Sequence, residues 1–271
     1  GRVAWGIHQV VNKSMANDAR RHVLERGQDP RRLPLLAFGG AGPGHATRVA
    51  QALGAPGVIV PPAAGALSAL GFLAAPPAFE SVRSFPGELT RLEWDAVERL
   101  LDEMEAAGAE QLRAAGVEPE RITHTRYAEL RYLGQGYEIS VPLPAPDAVE
   151  PLDQLIKTFA AAYERLYKRP GPPVPVEAVS WRVVSSGAPP QLVLPRLAGG
   201  DSASALKGHR SAYFPERGGY VQTPVYDRHR LRVGARLAGP ALIEERESTL
   251  VVRPGQTARV DAIGCVILED E

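Results

Sequence analysis

Between Leu35 and His45 the chain runs Leu-Leu-Ala-Phe-Gly-Gly-Ala-Gly-Pro-Gly-His, an apolar run of strand length delivered into a turn almost without side chains. An alanine-rich helical segment, Ala46 to Leu53, follows directly. A strand, a glycine turn and a helix start bring free N–H groups and the positive end of a helix dipole to one spot, which suits an anion. Glycine also lets the main chain come within contact distance of a flat or charged ligand. The two commonest nucleotide signatures do not fit. No Gly-Lys-Ser/Thr follows, the glycines at 39, 40, 42 and 44 miss the Gly-x-Gly-x-x-Gly frame, and no acidic residue lies about 20 positions on to hold a ribose. Spacing alone leaves two readings open. Gly39, Gly40, Ala41, Gly42 and Pro43 form either a nucleotide cradle or a tight packing turn with no ligand.

The surroundings of the turn read as layered α/β structure. Residues 2–26 suggest a helix with Val3, Ile7, Val10, Val11, Ser14 and Met15 on one stripe, stopped by Gly27 and Pro30. Strand 34–38, helix 43–53 with Gly54 as its stop, and strand 57–61 complete an αβαβ unit with a mostly parallel sheet. Ala63 to Ala75 is nearly all small residues, which suggests a buried turn and short helix under the cradle, or alternatively a second wall of a ligand site.

Pro76-Pro77 marks a boundary between a first domain, 1–76, and an α+β domain, 77–194. Thr90-Arg91-Leu92-Glu93 is a capping-box pattern opening a helix with Trp94, Val97, Leu100, Leu101 and Met104 on one face; Gly108 is a mild defect and Gly116 its end. Residues 123–142 alternate as strand, with a bulge or hairpin at Gly134-Gln135-Gly136. Leu152, Leu155, Ile156, Phe159, Tyr163 and Leu166 mark an amphipathic helix, and Val176–Ser185 a further strand. One sheet with two covering helices follows. Residues 195–210 are small and polar and read as a mobile linker. Short β-runs at 220–226, 231–233, 241–244, 249–252, 258–260 and 265–268 suggest a small barrel-like unit, so 195–271 forms a third, β-rich segment.

Composition excludes several functions. Lys+Arg and Asp+Glu are both 31, so no overall field draws the chain to nucleic acid or to an anionic membrane. No apolar run approaches the ~20 residues that span a bilayer. A single cysteine, Cys265, rules out an internal disulfide framework and fits a reducing cytoplasm. The six histidines form no metal-binding pattern.

Few side chains offer chemistry. His45, beside the glycine turn, can donate to a phosphate or polarise a carbonyl; more plainly, it can fix the turn by bonding a backbone carbonyl. Glu244 and Glu245 can act as a general acid/base pair or bind an ammonium group, but they alternate across a strand, so at most one faces any given site. Gln135 sits at a backbone kink and is either a site residue or part of a packing motif. Cys265 lies in an apolar strand pattern with no local base. Asp227-Arg228-His229-Arg230 reads as a solvated hairpin tip. No catalytic residue is assigned.

Phe38-Gly39-Gly40-Ala41-Gly42-Pro43 with His45-Ala46 resembles the hydantoinase A family, which includes N-methylhydantoinase, 5-oxoprolinase and subunits of acetone and acetophenone carboxylases. Four further segments match in the same order: Val58–Pro61 with Gly65–Gly71, Tyr132-Leu133-Gly134-Gln135, Ala162–Tyr167, and Gly239-Pro240-Ala241-Leu242-Ile243-Glu244-Glu245. Gly44 stands where the family usually has Leu. The resemblance implies the end of an actin-like ATPase lobe followed by an α+β domain and a β-rich C-terminal unit. Family members are much longer and open with an acidic-glycine phosphate loop. The resemblance therefore places this chain, which starts at Gly1, in the C-terminal portion of such a protein. It implies ATP with Mg²⁺ as cofactors and the adenosine side of the nucleotide at Gly39–Pro43. It further implies a small cyclic-amide substrate activated by phosphorylation of its amide oxygen, and as partners an N-terminal lobe and a second, larger subunit. His45, Gln135 and Glu244 become substrate or supporting residues. A ketone carboxylase subunit, and a non-catalytic assembly module, are the alternatives.

Overall fold

The computed structural model describes residues 2–145, 148–193, 196, 199–200 and 202–270. In chain order its main elements are α1 (Arg2–Glu25), β1 (Leu35–Leu36), α2 (Gly42–Leu53), β2 (Val58–Val60), α3 (Leu67–Ala74), β3 (Ala78–Glu88), α4 (Trp94–Ala114), β4 (Thr123–Tyr132) and β5 (Ile139–Pro142). There follow α5 (Pro151–Tyr167), β6 (Val176–Ser186), β7 (Leu206–Phe214), β8 (Gly219–Asp227), β9 (Arg236–Ala238), β10 (Ala241–Glu244), β11 (Thr249–Val252), β12 (Gln256–Val260) and β13 (Val266–Asp270). Two compact units result: Gly1–Leu73 with Leu192–Glu271, and Ala74–Gln191.

The first unit holds two sheets. One has the order β1-β2-β13-β12-β9, the other β11-β10-β8-β7. β1 and β2 run parallel, and β13 then pairs antiparallel with β2, Val266 opposite Val60. The N-terminal and C-terminal segments, expected from the sequence as separate domains, thus share one sheet. The apolar run Val58-Ile59-Val60 needs a partner on each side, and the second lies some two hundred residues downstream. The expected barrel-like unit is replaced by this division of its strands between two sheets. Leu206–Arg210, expected as linker, belongs to β7; Pro195, Leu197, Ala198 and Asp201 of that linker lie outside the described residues. Residues 231–233 form no strand, and Leu231 is a buried core residue instead.

The core of this unit is built from small aliphatic side chains, among them Ala46, Ala50, Val58, Val60, Ile243, Val252, Val266 and Leu268. Helix α2 serves two surfaces: Ala46 and Ala50 enter that core, while Val49 and Leu53 pack on Ala16 of α1. Of the stripe read along α1, Val3, Ile7, Val10, Val11 and Met15 are exposed. The buried face is Asn12 and Ala16, because small and polar groups there allow α1 and α2 to approach. The segment 63–75 is also only half as expected. Ala64 is fully buried beneath the glycine turn, but α3 buries no residue, and Phe72 and Leu73 are exposed.

The second unit is an antiparallel sheet, β3-β6-β4-β5, with α4 and α5 contributing to one core. Trp181, Phe159 and Tyr163 are its largest fully buried side chains. The Trp181 indole N–H donates to Phe85 O at 3.0 Å. The expected capping box is not made: Thr90 donates its hydroxyl to Glu88 (2.7 Å), and Glu93 occupies the N-cap without a side-chain bond. Gly108 is no defect. A Cβ there would lie 2.2 Å from Ser185 Oγ, so glycine is what lets α4 cross β6.

Candidate functional site

The glycine turn is built for an open backbone. Gly39 has φ +88°, a conformation that side-chain-bearing residues adopt only with strain, and its N–H donates to Ala64 O at 2.8 Å. Helix α2 begins at Gly42 with Ala41 as N-cap, and no side chain caps it. A Cβ added at Gly39 or Gly42 would meet nothing within 4 Å.

Opposite stands the β10–β11 hairpin. Its turn is closed by the Glu245 N–H donating to Ser248 O at 2.9 Å. The hairpin packs closely on the cradle: a Cβ at Gly65 would lie 2.5 Å from Glu247 Cβ, one at Gly40 3.4 Å from Glu247 O, and one at Gly44 3.6 Å from Thr249 O. Between the two remains an open hollow of about 570 Å³. Gly40, Ala41, Gly44 and His45 line one side, Glu245 to Thr249 the other, and His8 of α1 completes it.

The acidic pair at the hairpin divides as a strand requires. Glu245 lines the hollow, and its buried carboxylate meets the buried Arg228 guanidinium, Nε to Oε1, at 2.8 Å. Arg228 also donates from Nη2 to Val60 O (2.8 Å) and Gly264 O (2.9 Å). It therefore ties the hairpin to the β2 end and is not a solvated tip, as its charged neighbours suggested. Glu244 does not line the hollow; Lys207 Nζ (2.6 Å) and Arg210 (3.2 Å) neutralise it.

His45 does line the hollow, but its partner is not a backbone carbonyl. Its Nδ1 lies 2.8 Å from Asn12 Oδ1, and Asn12 Nδ2 lies 2.8 Å from His8 Nδ1. The imidazoles stack at 4.7 Å, Trp5 stacks on His8 at 5.2 Å, and the Arg48 guanidinium lies over Trp5. Burial, with help from His45 and Arg48, holds His8 below the usual histidine range. Arg48 also grips Glu216 through both carboxylate oxygens. Burial, the largest single influence, would raise the Glu216 carboxyl, but the Arg48 hydrogen bond, a backbone hydrogen bond and the charges of Arg48 and Arg253 together outweigh it, and the net shift is downward.

Gln135 belongs to the second unit. Its Oε1 accepts from the Tyr132 N–H (3.3 Å) and its Nε2 donates to Tyr163 OH (3.0 Å), so both ends of the amide brace the hairpin against α5. Cys265 is buried; burial first, then Asp261, pushes its thiol above the ordinary range, which is the opposite of nucleophile activation. Among the described residues no group of three or more His, Cys, Asp or Glu side chains could hold a metal ion, and no helix is long and apolar enough to cross a membrane.

Residues 1–81 match the model described as hydantoinase/oxoprolinase, and residues 90–270 that of the hydantoinase/oxoprolinase C-terminal domain. The chain belongs to the hydantoinase/oxoprolinase family. It is 31% identical over 267 residues to caprolactamase subunit alpha of Pseudomonas jessenii, covering 96% of this chain and 38% of that one. It is 30% identical over 277 residues to the acetophenone carboxylase gamma subunit of Aromatoleum aromaticum, covering 97% and 37%. It is 27% identical over 268 residues to 5-oxoprolinase of Dictyostelium discoideum, covering 96% and 20%. The crystal structure of the ATP-dependent caprolactamase from Pseudomonas jessenii superposes with a TM-score of 0.75 at 30% identity, over 99% of this chain and 40% of that chain. The chain thus spans well under half the length of these relatives.

Proposed function

We propose that this family member holds the nucleoside end of ATP for an enzyme that opens cyclic amides. The observation that carries the reading is the hollow itself: a capless helix start and a glycine turn kept bare on one side, with the Glu245–Thr249 hairpin pinned opposite by a buried ion pair. Its volume suits a nucleoside-sized ligand. When bound, ATP would supply a phosphoryl group to the amide oxygen, making the ring carbon open to attack by water; the ring C–N bond would then break, and phosphate would be released as the acid forms. In this chain Gly39, Gly40, Ala41, Gly42 and Pro43 would approach the nucleoside with their main chain, and Arg228 would keep the far wall in place. Mg²⁺ would come with the nucleotide, and no residue of this chain is assigned to it. The family supports an actin-like lobe as the setting and further segments and a larger subunit as partners, and the single cysteine suits a reducing cytoplasm; each belongs to the proposal.

The similarity to a subunit of acetophenone carboxylase favours a second reading, in which the phosphorylated oxygen is that of a ketone. Incubation of the protein, with whatever segments and subunits accompany it, with ATP and one of 5-oxoproline, a hydantoin, caprolactam, or a ketone plus bicarbonate tests both. Release of ADP together with a ring-opened acid is the expected result. ADP release only with ketone and bicarbonate would replace the first reading by the second, and no turnover with any of them would leave the chain an assembly module.

A further inference from the structure

A second cavity of the first unit, of about 250 Å³, adjoins the hollow, and His8 and Gly44 line both. It is smaller than the ~300 Å³ at which pockets for drug-sized ligands begin. Trp5 of α1 and Tyr213, Phe214 and Tyr220 of the β7–β8 hairpin wall it, with ring centroids 6.0 Å apart for Trp5 and Tyr213 and 5.4 Å for Tyr213 and Tyr220. Thr47 of α2 lines it too. Thr47 is 1% exposed, and no hydrogen bond among the described residues engages its hydroxyl. A buried hydroxyl without a partner is costly, and one that borders a cavity can be satisfied by what enters it.

Charge decides what can enter. Among the described residues that line this recess, Arg48 is the one permanent cation, and Glu216 already takes it with both carboxylate oxygens, Nη2 to Oε2 at 3.0 Å. His8, held below the usual histidine range by burial, is neutral at pH 7. An entering carboxylate would lose its water and gain no free cation. An uncharged ring would lay apolar surface on the aromatic walls and turn a carbonyl or N–H to the Thr47 hydroxyl, which both donates and accepts. We infer that the recess holds the substrate, a small uncharged ring compound bearing a carbonyl, and disfavours rings that carry a carboxylate. Caprolactam and hydantoins fit that description, and 5-oxoproline does not. The inference rests on the proposed function, since the substrate must lie beside the nucleotide that activates it.

Steady-state kinetics with ATP, on the protein with the segments and subunits it is made with, test it. For the better of caprolactam and a hydantoin, kcat/KM should exceed that for 5-oxoproline at least about tenfold. Thr47→Val, which removes the hydroxyl, should raise KM for that substrate about three- to tenfold and leave ATP affinity unchanged. Glu216→Gln leaves the Arg48 charge uncompensated and should move the ratio at least about fivefold toward 5-oxoproline, a gain that a merely structural role would not give. Should a variant not fold, the wild-type ratio still decides. A preference for 5-oxoproline, an unmoved ratio in Glu216→Gln or an unmoved KM in Thr47→Val would overturn the inference and leave the cyclic-amide reading standing. Turnover of an aromatic ketone with bicarbonate alone would uphold an uncharged ligand and replace that reading. If nothing turns over, quenching of tryptophan emission by caprolactam that is lost in Trp5→Phe upholds the recess, and its absence overturns it.

Discussion

The two units use the same small vocabulary, glycine turns and polar side chains near aromatic rings, to opposite ends. In the second unit two glycines are consumed by packing: a Cβ at Gly171 would fall 2.0 Å from the Tyr132 hydroxyl, and one at Gly108 would strike Ser185. Its polar groups close on each other, Gln135 with Tyr132 and Tyr163, His124 Nδ1 with Ser185 Oγ at 2.8 Å. In the first unit Gly39 and Gly42 face open space, and His8, His45 and Glu245 line a hollow. An empty bare side does not by itself mark a ligand site, since Gly134 and Gly136 also meet nothing; the turn at Gly39–Gly42 adds a hairpin opposite and a hollow between. Composition does not separate the two cases.

Substitutions should sort along that line. The largest loss of stability is expected from Trp181→Ala, which empties the second unit's core and should cost about 3–5 kcal/mol by chemical denaturation. A loss under ~1 kcal/mol would mean that the core is not the closed one described. Glu245→Ala should approach the same size, about 3–5 kcal/mol, because it strands the buried Arg228. Glu244→Ala, which removes only partly exposed ion pairs, should stay below ~1 kcal/mol. Equal effects of the two would break the assignment of faces on β10.

Gln135→Ala should cost about 1–3 kcal/mol and leave nucleotide affinity unchanged. A fall in ATP affinity would bring Gln135 back as a site residue. The smallest effect concerns Cys265: burial favours its neutral thiol, so at any given pH less thiolate is present than in free cysteine. Its alkylation by iodoacetamide at pH 8 should be slower than that of free cysteine and should catch up on unfolding. Native reactivity matching free cysteine would contradict its burial.

Much of this architecture was legible where the signal is local. The strand bounds 241–244 and 249–252 and the helix carrying Leu152 to Leu166 followed from turn residues and periodicity. The expectation that at most one of Glu244 and Glu245 faces a site came from strand alternation. Which one could not be read, since Ala241, Leu242 and Ile243 are all buried and β10 shows no polar side to count from. The pairing of β2 with β13 has no local signature, because its two strands meet only in the folded sheet. Asn12 was missed because a mid-helix asparagine looks neutral. The spacing His8 to Asn12, four residues along one helix face, was the available signal. Arg228 hid within a run of three charged residues and a histidine whose pattern suggests solvent. The outward stripe of α1 shows the same limit from the other side, as periodicity finds an apolar face without saying what it meets.

The most direct measurement is a crystal structure of the protein grown with a non-hydrolysable ATP analogue. The nucleoside should lie in the hollow, against the main chain of Gly39–Pro43 and facing the Glu245–Thr249 hairpin. Nucleoside density elsewhere on the molecule, with this hollow holding only solvent, would contradict it.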